Sequence, residues 1–172
     1  MQNWDDVLYP PFRATIRGAY YGIVTENFID EECYHLAQRA ISTFKFPKIS
    51  TEYTTYYAVR LEDGTLKEVP SETEDAIPHG RFVNDLSYAE IEVITAWMKV
   101  YWCENQISNS DNFDDMYTDS NIKTYSRANA VAQNTKLMAE YRSYARDLET
   151  RYSRINASGK PSLGDVNEDE QL

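Results

Sequence analysis

The most informative segment of this chain covers residues 86–102, which read LSYAEIEVITAWMKVYW. Ser87 and Glu90 have the spacing of a capping box, in which each side chain satisfies a free backbone N–H at the other position. Apolar residues follow on several sides of the helical wheel, so this helix is expected to be covered on more than one face. The sequence predicts a central core helix with apolar positions Ile91, Val93, Ile94, Trp97, Met98, Val100, Tyr101 and Trp102.

Two helices are predicted upstream of this segment. The first begins near Pro10, has Pro11 in its first turn and stops at Gly22, which are positions that proline and glycine favour at helix ends. The second has Asp30 as its N-cap and an apolar stripe behind it. It is expected to end before Pro47, because the residue that precedes a proline is pushed out of helical geometry.

A long helix is predicted downstream, from about Asn121 to Asn156, with a length of roughly 50 Å. Val131, Met138, Ala145 and Tyr152 recur at heptad spacing, which is typical of a helix that packs against an antiparallel neighbour. Residues 157–172 are acidic and are expected to form a disordered tail.

Residues 49–85 are rich in β-formers instead of helical repeats. They predict a β-hairpin with arms at about Glu52–Leu61 and Leu66–Val69, joined by a two-residue turn at Asp63 and Gly64. The stretch from Ser71 to Gly80 is expected to be a loop. The fold class is therefore predicted as mainly α: a helical bundle of about four helices with a long C-terminal helix and an inserted β-hairpin at about residues 50–70. A single domain is expected over residues 1–156. Its predicted core consists of residues of the last helix together with Leu36, Ala40, Ile41, Phe44, Ile91, Ile94, Met98 and Tyr101.

Charge and composition narrow the classes of function. The chain has 172 residues, 17 basic and 28 acidic side chains, and a formal net charge of -11. Such a balance argues against a surface that neutralises phosphates or lies on an anionic membrane. Two cysteines and the lack of a long apolar run predict a soluble, intracellular protein.

Candidate chemical groups are few. Cys33 and His35 are the nearest pair, but two positions apart on a helix they point away from each other, so a core cysteine beside a surface histidine is expected. Asp111, Asp114 and Asp115 lack the ligand spacing of a calcium loop and are expected to be solvated. The sequence therefore predicts no catalytic, cofactor or metal site and no enzyme; a cleft that gathers Cys33, His35 or the carboxylates would favour an enzyme instead.

The tyrosine content is the unusual feature, with 14 tyrosines among 172 residues. Tyrosine offers a rigid apolar ring with a polar tip, which protein interfaces favour. The hairpin tyrosines are expected to project toward a neighbouring subunit, and the end of the long helix is expected to face outward as an apolar strip bordered by arginines. The predicted interface residues are Tyr53, Tyr56, Tyr57, Tyr141, Tyr144, Leu148, Tyr152 and Ile155.

The order of these segments resembles that of the head-tail connector, or neck adaptor, proteins of tailed bacteriophages, including the neck ring proteins of crAss-like phages. The resemblance rests on an early helix pair that closes with AISTFKFPK at residues 40–48, a β-rich excursion, LSYAEI at 86–91 opening a tryptophan-bearing helix, and a long helix that closes with Tyr152, Ser153 and Arg154. It covers most of residues 1–156.

The resemblance implies a virion structural protein in the neck, at the head-tail junction. About twelve copies would form a ring beneath the portal protein, link it to stopper or tail proteins and let DNA pass through the lumen. No cofactor, metal or membrane is implied. The alternative is a small intracellular protein-interaction module without a virion role, which would use the same tyrosines as a monomer or dimer.

Overall fold

The computed structural model describes residues 1–15, 25–112 and 121–154, with the side chains of residues 109–112 and 121–130 excepted. In chain order the described elements are β1 (Gln2–Asn3), α1 (Trp4–Val7), α2 (Tyr9–Thr15), α3 (Glu26–Thr43), β2 (Tyr53–Arg60), β3 (Leu66–Val69), β4 (Ile77–Phe82), α4 (Tyr88–Asn112) and α5 (Asn121–Ser153).

The strands form one antiparallel sheet in the order β1-β4-β2-β3. β2 and β4 are paired along most of their length, from Tyr53 opposite Phe82 to Ala58 opposite Ile77. The predicted class, a mainly α bundle with a small inserted hairpin, is therefore wrong. The protein is mixed α/β, with helices beside a curled four-stranded sheet.

β4 begins within the stretch Ser71 to Gly80, where the sequence predicts a loop. Its Pro78 and Gly80 are residues that weaken a strand pattern. Pro78 is tolerated because β1 pairs only with Arg81 and Phe82, which leaves no second partner strand at that position. Gly80 is required because the Trp4 ring packs directly on its backbone, where a Cβ atom would overlap the ring.

The predicted hairpin is present, as β2 and β3, but its environment differs from the prediction. Leu61 and Thr65 are joined by a backbone hydrogen bond of 2.8 Å, so three residues form the loop instead of two. Gly64 has φ 84, a left-handed conformation that glycine adopts without strain. β2 pairs with β4 from Tyr53 to Ala58 and with β3 from Tyr57 to Arg60, so the hairpin continues a larger sheet and is not an isolated two-stranded unit.

The helix ends follow local signals in part. Ser87 donates its backbone N–H to Glu90 Oε2 over 2.7 Å, which confirms the predicted role of Glu90 in capping α4. α3 begins earlier than predicted, with Thr25 as N-cap, because Thr25 Oγ1 accepts from the Phe28 N–H. Asp30 therefore lies in the second turn of α3 and is buried, not a cap. The helix predicted from Pro10 is α2, preceded by the short α1.

α4 is the central helix of the core, as predicted. It packs against α2, α3 and α5. Of the predicted core residues, Ile91 and Tyr101 are partly buried. The other predicted core residues are buried: Leu36, Ala40, Ile41, Phe44, Ile94 and Met98.

Several predictions fall outside the described residues. These are the stop at Gly22, the acidic residues Asp114 and Asp115, the last turn of the long helix with Ile155, and the acidic tail at 157–172. No helix in the described ranges is long and apolar enough to cross a membrane.

Candidate functional site

A group of polar side chains, partly or fully buried, lies where α1, α2, α3, β2 and β4 meet. We call it the polar cluster and define it as Asp5, Arg13, Asp30, Arg60 and His79. His79 is fully buried and Asp30 is 2% exposed, although polar residues of these types are rarely buried this deeply without partners. The cluster is therefore the first place to look for chemistry.

Asp30 is held between two arginines. Arg13 Nη2 pairs with its Oδ1 and Arg60 Nη2 pairs with its Oδ2. Arg13 also pairs with Glu26 at 3.0 Å, and Arg60 donates to the carbonyl of Gly64 over 2.8 Å. Asp30 thus ties α2 and the hairpin loop to the start of α3.

Asp5 and His79 form the second half of the cluster. His79 Nδ1 lies 2.8 Å from Asp5 Oδ1, and Tyr56 donates its hydroxyl to Asp5 Oδ2 over 2.9 Å. Burial acts to raise the pKa of Asp5, but the hydrogen bond and charge of His79 outweigh it and hold that pKa below its usual value. Among the described residues, His79 Nε2 has no hydrogen-bond partner.

Asp5, Asp30 and His79 are also a possible set of cation ligands, since one ligand atom from each lies within 4.8 Å of the others. Both oxygens of Asp30 are already paired with arginines, and both oxygens of Asp5 accept hydrogen bonds. A cation would have to displace two guanidinium groups of its own charge sign. The arrangement fits an internally compensated polar cluster better than a ligand set.

Cys33 and His35 are not brought together. Cys33 is fully buried and burial raises its pKa to about 12, an effect that Arg13 only partly offsets. His35 is exposed, as predicted. Cys103 is also buried, and burial raises its pKa to about 11, so both thiols are protonated at neutral pH.

A second buried carboxylate anchors the end of α5. Glu90 is 1% exposed and accepts from Ser87 N–H, from Ile49 N–H over 2.9 Å and from the Tyr152 hydroxyl over 2.6 Å. Tyr152 in turn accepts from Lys48 N–H over 2.7 Å. Burial acts to raise the pKa of Glu90, yet the hydrogen bonds, that of Tyr152 foremost, lower it. Burial and the bond to Glu90 raise the pKa of Tyr152 to about 12.

The expectation that Tyr152 faces outward is therefore wrong, because its ring is 6% exposed and its hydroxyl is used inside the monomer. Tyr141 and Leu148 are partly buried against the core. Tyr144 is 46% exposed and donates to Glu92 over 3.2 Å. Ile155 lies outside the described residues.

The hairpin tyrosines already have partners within the chain. The centre of the Tyr53 ring lies 4.7 Å from that of Trp4. Tyr56 stacks on His79, and the Arg81 guanidinium lies 4.4 Å from the centre of the Tyr56 ring. Tyr57 is half-buried. These contacts within the chain cover the rings without a neighbouring subunit. The interface role of the three tyrosines stays a prediction.

Two grooves flank the exposed face of α5. One encloses about 330 Å³ between α2, α4 and α5, with Tyr88 and Tyr144 at its lip. The other encloses about 480 Å³ between the end of α3 and α5 and includes Phe46, Trp97 and Arg146. Tyr88 is 79% exposed and Phe46 65% exposed, so both aromatic rings are open to contact by another molecule.

The polar cluster was not predicted from sequence. His79 stands in a proline- and glycine-containing stretch that reads as a loop, and Asp30 has the pattern of a helix cap. Pro78 and Gly80 on either side of His79 leave no alternation of apolar and polar residues that would mark this segment as a strand. No protein-family model, curated protein or solved structure significantly matches this chain.

Proposed function

We propose that this protein is a structural subunit of a phage neck, a head-tail connector whose copies form a ring of about twelve beneath the portal protein. The ring would link the portal to stopper or tail proteins at the head-tail junction, with DNA passing through its lumen. The observation that carries the proposal is the pair of grooves beside α5. Exposed aromatic rings line both grooves: Tyr88 and Tyr144 in one, and Phe46 in the other.

The buried polar groups are consistent with a structural role. The carboxylates of the polar cluster have charged or hydrogen-bonded partners inside the chain. Glu90 fixes α5 to α4 through Oε1, which accepts from Tyr152, and caps α4 through Oε2, which accepts from Ser87 N–H. Such networks hold elements in one arrangement, which a repeating ring subunit needs. The acidic net charge is compatible with a channel that must release DNA.

The experiment replaces the groove aromatics in the full chain. Tyr88→Ser with Tyr144→Ser is expected to abolish closed rings in electron micrographs and to lower the assembled fraction in mass photometry, with unchanged helicity. Val83→Ser is the control, since Val83 is exposed but lies outside these grooves.

The neck assignment has its own readout. Labelled protein is expected in purified virion necks, and the double tyrosine variant is expected to be depleted there. A wild-type protein that stays a monomer or dimer and is absent from necks would favour the small interaction module instead.

A further inference from the structure

An unpaired basic surface lies at the end of α5. We define it as Lys45, Lys48, Arg146, Arg151 and Arg154, all exposed. None of these five side chains forms an ion pair within the described ranges, whereas Arg13, Arg39, Arg60 and Arg81 do. Asp147 and Glu149 lie among these side chains, but five basic groups outnumber the two acidic ones. The surface is therefore basic, in a chain whose net charge is -11.

An unpaired acidic surface lies at the turns of the sheet. We define it as Glu62 and Asp63 in the hairpin loop and Glu72, Glu74 and Asp75 between β3 and β4, all exposed. Within the part of the chain that the structure describes, none of the five forms an ion pair, and Lys67 is the exposed base beside them. The second group lies on two consecutive turns. Thr73 donates its N–H to the Pro70 carbonyl, and Ala76 donates its N–H to the Thr73 carbonyl.

The two surfaces are separated along the molecule. The basic surface lies near the start of β2, because Ile49 N–H and the Tyr152 hydroxyl bind the same oxygen of Glu90. The β3–β4 connection lies at Tyr57 and Ala58, and the hairpin loop lies beyond Arg60. At the usual rise of a strand these points are about 16 and 23 Å from Tyr53. Within the described ranges, no ion pair joins the two surfaces of one copy.

We propose that the basic surface of one copy binds the acidic surface of the next copy, head to tail. This inference rests on the proposed ring role and specifies its subunit contact. A contact between two different surfaces of the same chain is heterologous, and it closes into a ring when the rotation per subunit allows.

Apolar groups complement the charges on both sides. Phe46, 65% exposed, lies within the basic surface, and Leu61, 43% exposed, adjoins Glu62 in the acidic surface. Charge steers the encounter and fixes the register, while an apolar contact at the centre supplies affinity. A second copy of this acidic chain is a better match for the basic surface than a nucleic acid, which the net charge would repel.

The test is a charge-swap experiment on the full chain. Lys48→Glu with Arg146→Glu and Arg154→Glu leaves the five positions of the basic surface with a net charge of -1, and Glu62→Lys with Glu72→Lys and Glu74→Lys leaves those of the acidic surface with +1, so each triple variant reverses the sign of one surface. Each variant alone is expected to associate with itself at least about tenfold more weakly than wild type, because like charges then face each other. An equimolar mixture of the two variants is expected to recover association, because every contact again joins opposite charges.

Association is measured by mass photometry and analytical ultracentrifugation, with far-UV circular dichroism to confirm folding. Wild-type association is expected to weaken as salt rises from about 0.05 to 0.5 M. Lys136→Glu is the control, since Lys136 is 81% exposed on α5 but lies outside the basic surface.

The outcomes separate the contact from the ring role. Association that both reversals leave unchanged, or a mixture that fails to recover, overturns the head-to-tail contact. The contact is also overturned if reversing the basic surface weakens association but reversing the acidic surface does not. That result indicates that another segment, such as the acidic residues 161–172, binds the basic surface. A wild-type chain that stays monomeric at low salt also overturns the contact, and incorporation into necks then decides the neck role separately. Charge-dependent open chains without rings uphold the contact and overturn the ring.

Discussion

Single residues decide the stability of the junction between α1 and the sheet. Gly80 lies under the Trp4 ring, and an added Cβ would overlap it. Gly80→Ala is therefore expected to lower the free energy of unfolding by about 1–3 kcal/mol, measured by urea denaturation. In a Trp4→Leu background the same change should cost clearly less, because the smaller side chain leaves room. An equal cost in both backgrounds would contradict the packing explanation.

Asp30 carries the charge balance of the polar cluster. Asp30→Asn leaves two partly buried guanidinium groups without their shared counter-charge, so the free energy of unfolding is expected to fall by about 3 kcal/mol. Glu26→Gln is the matched control, because Glu26 pairs with the same Arg13 at an exposed position and should cost less than about 1 kcal/mol. Similar losses in both variants would mean that burial does not set the strength of these pairs.

Glu90 gives the fold a dependence on pH of known sign. Its pKa is lower in the folded chain than the ordinary 4.5, so it contributes stability above that pH, and this contribution is lost as pH falls through the folded pKa. Glu90→Gln is expected to cost about 1–3 kcal/mol at pH 7. Its free energy of unfolding should also fall less steeply than that of wild type between about pH 5 and pH 3. Parallel pH profiles for the two proteins would contradict this role.

At the scale of elements, the hairpin loop depends on one glycine. Gly64 has φ 84, and no atom crowds a Cβ built there, so a substitution is penalised by backbone conformation alone. Gly64→Ala is expected to lower the free energy of unfolding by about 1 kcal/mol in thermal or urea melts. Gly64→Asn should cost less, because asparagine tolerates the left-handed region. The reverse order of the two variants would rule out this explanation.

The elements that were predicted correctly have local signals. The capping pair Ser87 and Glu90 starts α4, and apolar periodicity marks α3 and α5, which depend on residues a few positions apart. The missed strands depend on distant partners. β1 has two residues and pairs with Phe82, and β4 combines Pro78 and Gly80, so neither carries a strand pattern without the pairing itself.

The candidate site divides in the same way. Helical spacing, a local property, predicts that Cys33 is buried and that His35 is exposed on the other side of the helix. The polar cluster joins Asp5 to His79 and Arg60 to Asp30 across elements distant in sequence. Likewise, helical spacing places Tyr144 and Tyr152 on one helix, but only the position of Glu90 decides that Tyr152 is buried.

At the scale of the whole molecule, α4 is expected to be the last element to open. It packs against α2, α3 and α5, whereas β3 is an edge strand paired on one side only. In native-state hydrogen exchange, amides from Val93 to Val100 should exchange only through global unfolding. Those of β3 should exchange through smaller, local openings. The free energy from the α4 amides is expected to equal that from urea denaturation, since residues 1–156 are predicted to form one domain. Exchange of α4 and the sheet in two separate cooperative steps would instead divide this region into two folding units.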